Sequence, residues 1–427
     1  MITHKSDVLV IGAGPSGSTA AALLSRRGWS VNLLEKSSFP RYHIGESLMP
    51  YCWHTLDRLG VVAEMERLAF VKKYSVQFVG QGGEQSKPFY FFQHYDHPSS
   101  TSWQVWREDF DSMLLERAVA DGAAIFHNTK AIEPLYHSDT GFLEGVKATG
   151  PDGAAQEFRA KVVIDASGRG CFLQTKLQWR QRDPMLNKVA VWSYFRNARR
   201  DEGLDAGATT VAYLPGKGWF WFIPLQDDVT SVGVVAERDY LFRDGVREPA
   251  AILAREIPRN QWMQEHLAAA QQFGEYRVTG EYSYRSAYCA ADGAVLVGDA
   301  FAFLDPVFSS GVFLALKTGE LASDAVDQAL RAGDVSASRF EAYGETVCSH
   351  LEKMRTLIYA FYEENFSFGT LIKTHPDLRP DLTDCLIGNL DRNFDALLAG
   401  LADFGALPSP LPFGMKGCAA ATPSPVA

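Results

Sequence analysis

The stretch Asp7-Val8-Leu9-Val10-Ile11-Gly12-Ala13-Gly14-Pro15-Ser16-Gly17 decides the fold of this 427-residue chain. A short apolar strand runs into three glycines spaced Gly-x-Gly-x-x-Gly. A helix-forming run from Ser18 to Arg27 follows and closes at Gly28. The next apolar run, Val31-Asn32-Leu33-Leu34, ends at Glu35 and completes a βαβ unit. A lone glycine cluster can be a simple tight turn, but this context gives each glycine a task. Gly12 allows the turn, Gly14 lets a pyrophosphate approach the backbone, and Gly17 permits close helix–strand packing. The helix start around Ser16 offers N–H donors to an anion, and Glu35 is placed to accept from ribose hydroxyls. The reading is a dinucleotide site with an unphosphorylated adenosine ribose.

Two further strand-end segments lie far downstream: Val163-Ile164-Asp165-Ala166-Ser167-Gly168-Arg169 and Val295-Leu296-Val297-Gly298-Asp299-Ala300. Each alone is an ordinary strand-end turn. Together with the first segment they resemble the glutathione-reductase-like FAD fold of aromatic hydroxylases. That resemblance implies FAD, with Asp299 beside the ribityl chain. The single Gly-x-Gly-x-x-Gly predicts no stable NAD(P)H site.

The remaining pattern predicts an α/β chain: a Rossmann-type FAD-binding domain with an inserted antiparallel substrate sheet and a helical C-terminal region. The FAD-binding domain is expected to be discontinuous, over 1–73, 104–175 and 280–330. Within it, 104–120 reads as a helix with Phe110, Leu114, Leu115 and Ala118 inside. Residues 74–106 and 188–240 are rich in aromatic and β-branched residues, and 74–103 with 176–279 are expected to form the substrate domain. Residues 331–407 read as helical, and 408–427 as a Pro/Ala/Gly-rich disordered tail.

Composition narrows the function. With 46% hydrophobic and 12% aromatic residues, the chain has the material for a large core. Its net charge of -10 lacks the global field that nucleic acid or an anionic membrane selects. The most apolar window, Val295 to Leu316, contains Asp299, Asp305 and Pro306 and cannot span a bilayer. The six cysteines show no metal-ligand spacing and read as reduced thiols. No signal segment precedes the first strand, so a cytoplasmic protein is expected. The ten histidines, like the cysteines, show no metal-ligand spacing, and no metal is expected.

Three motifs outside the nucleotide fingerprint carry more. They are Phe39-Pro40-Arg41-Tyr42-His43-Ile44-Gly45-Glu46-Ser47, Gly218-Trp219-Phe220-Trp221-Phe222-Ile223-Pro224, and Leu304-Asp305-Pro306-Val307-Phe308-Ser309-Ser310-Gly311-Val312. This set resembles the flavin-dependent halogenases of the tryptophan-halogenase-like superfamily, more closely the branch acting on phenols and pyrroles. Alternation places Trp219 and Trp221 on one face of a strand and Phe220 and Phe222 on the other, which core packing alone would also explain. The resemblance implies that the two indoles stand beside the flavin. It also implies that Ser309, Ser310 and Gly311 hold chloride or bromide at a serine-capped helix start. It further assigns Arg41, Ser47, Arg107, Pro306 and Gly311 to the flavin neighbourhood, although Arg107 could simply be a helix-start ion pair.

In Phe70-Val71-Lys72-Lys73-Tyr74 the resemblance places the active lysine at Lys73, with Lys72 the alternative. It implies a reaction in which reduced FAD, supplied by a separate flavin reductase, oxygen and halide yield hypohalous acid. The acid travels to Lys73, and an electron-rich phenol or pyrrole takes the halogen. The substrate is expected on an acyl or peptidyl carrier protein, docking near Arg196, Arg199 and Arg200 with Lys176, Arg180 and Arg182. Two rivals share the fold: an FAD-dependent monooxygenase or reductase, and a flavin-binding homologue without activity.

Overall fold

The computed structural model describes residues 2–183, 185–280, 283–412 and 414–416. Its first sheet grows from the strand Ile2–Ile11, whose last four residues are buried. That strand pairs in parallel with Val31–Leu34 on one side and Ala155–Asp165 on the other. Ala124–Phe126 and Ala294–Leu296 extend the parallel layer outward. Where both faces of the parallel layer are covered, at Val8–Ile11 and Val162–Ile164, the strands are continuous apolar runs, while their earlier residues are mostly polar and partly exposed.

The helix Pro15–Arg26 lies against this layer, closer than side chains would permit. A Cβ on Gly17 would sit 1.9 Å from Gly12 O, and one on Gly12 would sit 2.4 Å from Ala166 O. Gly12 itself has φ +102°, a conformation that β-carbons disfavour. The helix Ser310–Ala332 approaches equally closely, since a Cβ on Gly319 would lie 2.4 Å from Ser16 O. The helix expected over 104–120 starts at Arg107, because Ser102–Gln104 pairs instead with Val71–Lys73. Phe110, Leu114, Leu115 and Ala118 are buried as its spacing predicts.

The second sheet has seven strands, in the order Gln271–Gly280, Lys188–Arg196, Val229–Glu237, Trp219–Pro224, Thr209–Tyr213, Ser75–Val79, Phe89–Tyr90. It is antiparallel except where Thr209–Tyr213 meets Ser75–Val79, which run parallel. These two strands come from chain segments more than a hundred residues apart, so no hairpin dictates their direction. One face of this sheet, carrying Phe220 and Phe222, packs on the helices Pro249–Glu256 and Gln261–His266 through Ile252, Leu253, Trp262 and Met263. The other, carrying Trp219, Trp221 and Ile223, joins the main core.

From 341 onward the chain is helical, with Glu341–Tyr362 the longest element. The tail differs from expectation where it is described: Gly414–Lys416 pairs in parallel with Tyr288–Ala291, and an edge strand offers unpaired backbone for such an addition. Residues 417–427 of the expected disordered tail, including Cys418, lie outside the described residues. The other five cysteines are free and buried. Among the described residues, no helix is long and apolar enough to cross a membrane.

The contact at Gly319 yields a direct test. Gly319→Ala forces its methyl onto the Ser16 carbonyl, an overpacking expected to cost about 1–3 kcal/mol. Thermal unfolding of the purified variant measures the loss, and an unchanged Tm would show that the two helices can separate without cost.

Candidate flavin and lysine sites

A cavity of about 520 Å³ opens where the strand ends of the first sheet meet the second sheet. Its lining runs from Glu35, Lys36 and Thr129–Ala131 at one end, past Gly12, Gly14 and Ser16, to Trp219, Trp221 and Ile223 at the other. The expected residues Arg41, Ser47, Arg107, Asp299, Pro306, Ser309 and Gly311 also line it. Gly17 does not, because it is spent on the helix contact. Ser310 does not either, being 1% exposed.

The residues present fit a flavin dinucleotide. No side chain caps Pro15–Arg26, which leaves its first-turn N–H groups for an anion. A Cβ on Gly14 would meet only Arg41 Nη2, at 3.5 Å, so the glycine keeps free space at the helix start. Glu35 accepts from Ala13 N at 3.0 Å and Ser37 N at 2.9 Å, which fixes its carboxylate at the end of its strand. Asp299 receives no hydrogen bond on its carboxylate among the described residues, and burial pushes its pKa up to about 6. Asp299 is half-buried and lines the cavity, so its carboxylate is open to donors from a ligand, which suits the polyol place expected for it.

Arg107 answers both of its readings. Its Nε and Nη2 donate to the two oxygens of Asp111 at 2.8 and 2.9 Å, and Nη1 donates to Ile44 O at 2.6 Å. The ion pair therefore holds the loop 43–47 against the cavity. Arg41 shares the same Asp111 at 3.3 Å. Within that loop, burial and the Arg107 charge lower the His43 pKa to about 4, and burial raises that of Glu46 to about 7. Tyr194 donates to Glu46 Oε1 at 2.5 Å. Tyr42, His43 and Glu46, which lie inside the Phe39–Ser47 motif without an assigned role, also line the cavity, as does Thr209, which no sequence motif marks.

The indoles present carbon rather than N–H groups to the cavity. Trp219 Nε1 donates to Tyr362 Oη at 2.9 Å, and Tyr362 donates to Asp305 Oδ2 at 2.8 Å. Trp221 Nε1 donates to Ser231 Oγ at 3.0 Å. Their rings lie 6.2 Å apart and form a tethered apolar wall. At the 310–332 helix the expected serine cap is absent. Ser309 adopts left-handed backbone (φ 57°, ψ 28°), and its hydroxyl makes no capping bond. Asp305 caps the preceding Pro306–Phe308 turn by accepting from Val307 N at 3.1 Å, and no side chain caps the 310–332 helix itself.

Lys73 is separated from the cavity. It is 2% exposed, at the end of the Val71–Lys73 strand, and does not line the lumen. Its Nζ donates to Ser47 Oγ at 2.9 Å and Leu48 O at 3.1 Å, and sits 5.7 Å from the Phe91 ring centre. No salt bridge is formed by this ammonium among the described residues. Burial brings its pKa down to about 7. Lys72, one residue earlier, faces outward and pairs with Glu66.

Comparison with known proteins places the chain in a family. The family model for tryptophan halogenase matches residues 7–101 and 92–368. A 1H-pyrrole-2-carbonyl-[peptidyl-carrier protein] chlorinase of Pseudomonas fluorescens is 30% identical over 91% of this chain and 90% of its own. The corresponding brominase of Pseudoalteromonas luteoviolacea is 30% identical over 90% and 91%. The solved structure of the flavin-dependent brominase Bmp2 superposes with a TM-score of 0.85, at 28% identity, over 93% of this chain and 98% of that one.

Two variants separate the site's parts. Gly14→Val should fold yet lose FAD, because the side chain fills the space at the helix start; flavin absorbance after desalting reads this. Lys73→Met should alter stability with a definite sign. A folded pKa near 7 against 10.5 unfolded means the native state binds fewer protons, so stability rises as pH climbs from about 7 to about 10.5. The variant should lack that rise and melt higher than wild type at neutral pH.

By sequence, by fold and by the motifs that surround its cavity, this chain belongs to the tryptophan halogenase family and is a flavin-dependent halogenase that acts on aromatic substrates with FADH2 and halide.

Proposed function

We propose that this halogenase installs chloride or bromide on a pyrrole or phenol carried by an acyl or peptidyl carrier protein, with Lys73 as the residue that delivers the halogen. The observation that carries the role of Lys73 is an ammonium buried without a carboxylate, beside but outside the flavin cavity. Structural lysines avoid such places, because desolvation of the charge is not offset. A perturbed, desolvated amine next to a cofactor chamber is instead what reactive sites contain. Lys72, half-exposed and ion-paired, lacks every one of these features.

FAD, when bound and reduced, supplies the oxidising chemistry with dioxygen. The chain's own residues bind and orient it through the first helix, Glu35, Arg41 and Asp299, and exclude water with Trp219, Trp221 and Ile223. The start of the 310–332 helix holds the halide, with Ser309 and Gly311 facing the cavity and Ser310 buried behind them; its N–H groups and dipole favour an anion there. Hypohalous acid formed in the cavity reaches Lys73, which activates it by donating a hydrogen bond or as a haloamine. The electron-rich ring then takes the halogen. We assign the supply of FADH2 to a separate flavin reductase.

Support for a carrier-bound pyrrole comes from the two relatives whose names specify it and whose lengths match this chain's. The residues expected to dock the carrier sit on several elements: Lys176 ends a short helix, Arg180 and Arg182 lie on a three-stranded sheet, Arg196 ends the Lys188–Arg196 strand, and Arg199 and Arg200 follow it. Arg180 stacks on Tyr284, Arg196 on Phe273, and Arg200 donates to Leu225 O and Val229 O. Lys176, Arg182, Arg196 and Arg199 are exposed.

Product mass spectrometry tests the reading, with a flavin reductase, bromide or chloride, and free or carrier-bound substrates. Lys73→Ala should keep FAD and its reoxidation by oxygen while product falls by a factor of about 10²–10⁴ or more. Lys72→Ala should retain most activity. Near wild-type halogenation by Lys73→Ala would remove the lysine from the mechanism. Efficient turnover of a free phenol, with no gain from carrier attachment, would remove the carrier.

A further inference from the structure

Two hydroxyls stand between Lys73 and the flavin cavity. Lys73 Nζ donates to Ser47 Oγ, and Ser47 Oγ lies 2.8 Å from Thr209 Oγ1. Ser47 and Thr209 both line the cavity, whereas Lys73 does not. All three are buried, at 3%, 4% and 2% exposure, so the file has no direct route to bulk solvent. The second partner of Lys73, Leu48 O, also accepts from Ser102 Oγ at 2.9 Å and is a carbonyl that cannot pass a proton onward.

The direction of one neighbouring bond is fixed. Gln104 Nε2 donates to Thr209 Oγ1 at 2.8 Å and to Gly207 O at 3.0 Å. An amide nitrogen accepts nothing, so Thr209 always receives this bond and keeps its own hydrogen for Ser47 or for the cavity. The file Lys73–Ser47–Thr209 therefore has two polarities. With Lys73 as ammonium, it runs from Lys73 to Ser47 to Thr209 and outward into the cavity. With Lys73 as amine, it runs from Thr209 to Ser47 to the nitrogen lone pair.

We propose that Ser47 and Thr209 carry protons between Lys73 and the flavin cavity, so that the amine exchanges its proton with the cavity rather than with bulk solvent. In the outward transfer an N–H bond of the ammonium breaks as an O–H bond forms on Ser47. The former Ser47 proton moves to Thr209, and the former Thr209 proton moves to a water in the cavity. No electron moves, one proton leaves Lys73, and the file ends in its opposite polarity. The cavity has a use for that proton. Halide oxidation consumes one, since halide, O2, FADH2 and H⁺ give HOX, FAD and one H2O. This inference rests on Lys73 being the delivering residue, and it adds how that residue changes protonation state away from bulk solvent.

The surroundings of Lys73 leave few other routes. Desolvation is what lowers its pKa, and the titratable group acting on it is the Cys52 thiol, itself pushed up to about 12 by burial. Cys52 stays neutral at working pH and accepts poorly. The Phe91 ring offers no proton site.

Thr209 supplies the test, because it belongs to the file without touching Lys73. Thr209→Val keeps the shape and removes the hydroxyl, whereas Thr209→Ser keeps the hydroxyl and removes a methyl. The readout is exchange of the Lys73 Nζ protons with water, followed by NMR of the cofactor-free full chain labelled with 15N-lysine. The signal is assigned by its absence in Lys73→Met. Cutting the relay should slow exchange by a factor of about 10 or more, within the range of lost proton-transfer assistance, and Thr209→Ser should restore it. Ser47→Ala breaks the file at its middle and should slow exchange likewise, which keeps the test available if Thr209→Val does not fold. Unchanged exchange in Thr209→Val or Ser47→Ala, or equal slowing in Thr209→Ser, overturns the relay. Retained halogenation by Lys73→Ala would instead remove the catalytic reading and leave the exchange result standing, so the two failures are distinguishable.

Discussion

The close approach of Gly17 to the carbonyl of Gly12 is the contact on which the molecule is built. A single β-carbon there would lie 1.9 Å from the oxygen, so the first helix can dock only because none exists. Docking sets the N-terminus of that helix over the end of the central strand. Gly319 then lets a second helix rest on the backbone at Ser16. As a result the starts of both helices, 15–26 and 310–332, reach one cavity from chain positions some three hundred residues apart. Two helix starts with no side-chain cap make that cavity receptive to anions at two points.

The second sheet completes the chamber through its alternation. Its inner face brings Trp219, Trp221 and Ile223 to the cavity, and its outer face is closed by the 249–256 and 261–266 helices. The indole N–H groups are satisfied by Tyr362 and Ser231, away from the lumen. The wall is thus both apolar and rigid, and a water-excluded site strengthens every electrostatic interaction inside it. The Trp219–Tyr362–Asp305 file also ties this wall to the turn that starts the 310–332 helix, so the proposed halide end and the indole wall move as one piece.

Lys73 pays for none of its burial with an ion pair. Hydroxyls and a carbonyl surround it, and they support the ammonium while leaving the amine accessible near neutral pH. A carboxylate in the same place would hold the proton and turn a reactive lysine into a structural one. The contrast with Lys72, which has such a partner, shows how one residue of strand register separates the two fates.

What the sequence by itself determined is local: the glycine spacing, the acidic end of the second strand, the alternation of Trp219 and Trp221 with Phe220 and Phe222, and the Gly298-Asp299 turn. Each follows from backbone sterics or side-chain period, which act over a few residues and so are written in a few residues. Tertiary structure decided whatever depends on distant neighbours. It turned the expected serine cap into a left-handed turn, since Asp305 and Pro306 had already organised the chain before Ser309. It ran one strand pair parallel because the pair spans distant segments. It spread the arginines expected to form one patch over two strands and a loop. It also chose between two adjacent lysines, because burial and the hydroxyls of Ser47 and Thr209 are set by strands and loops that meet only in space.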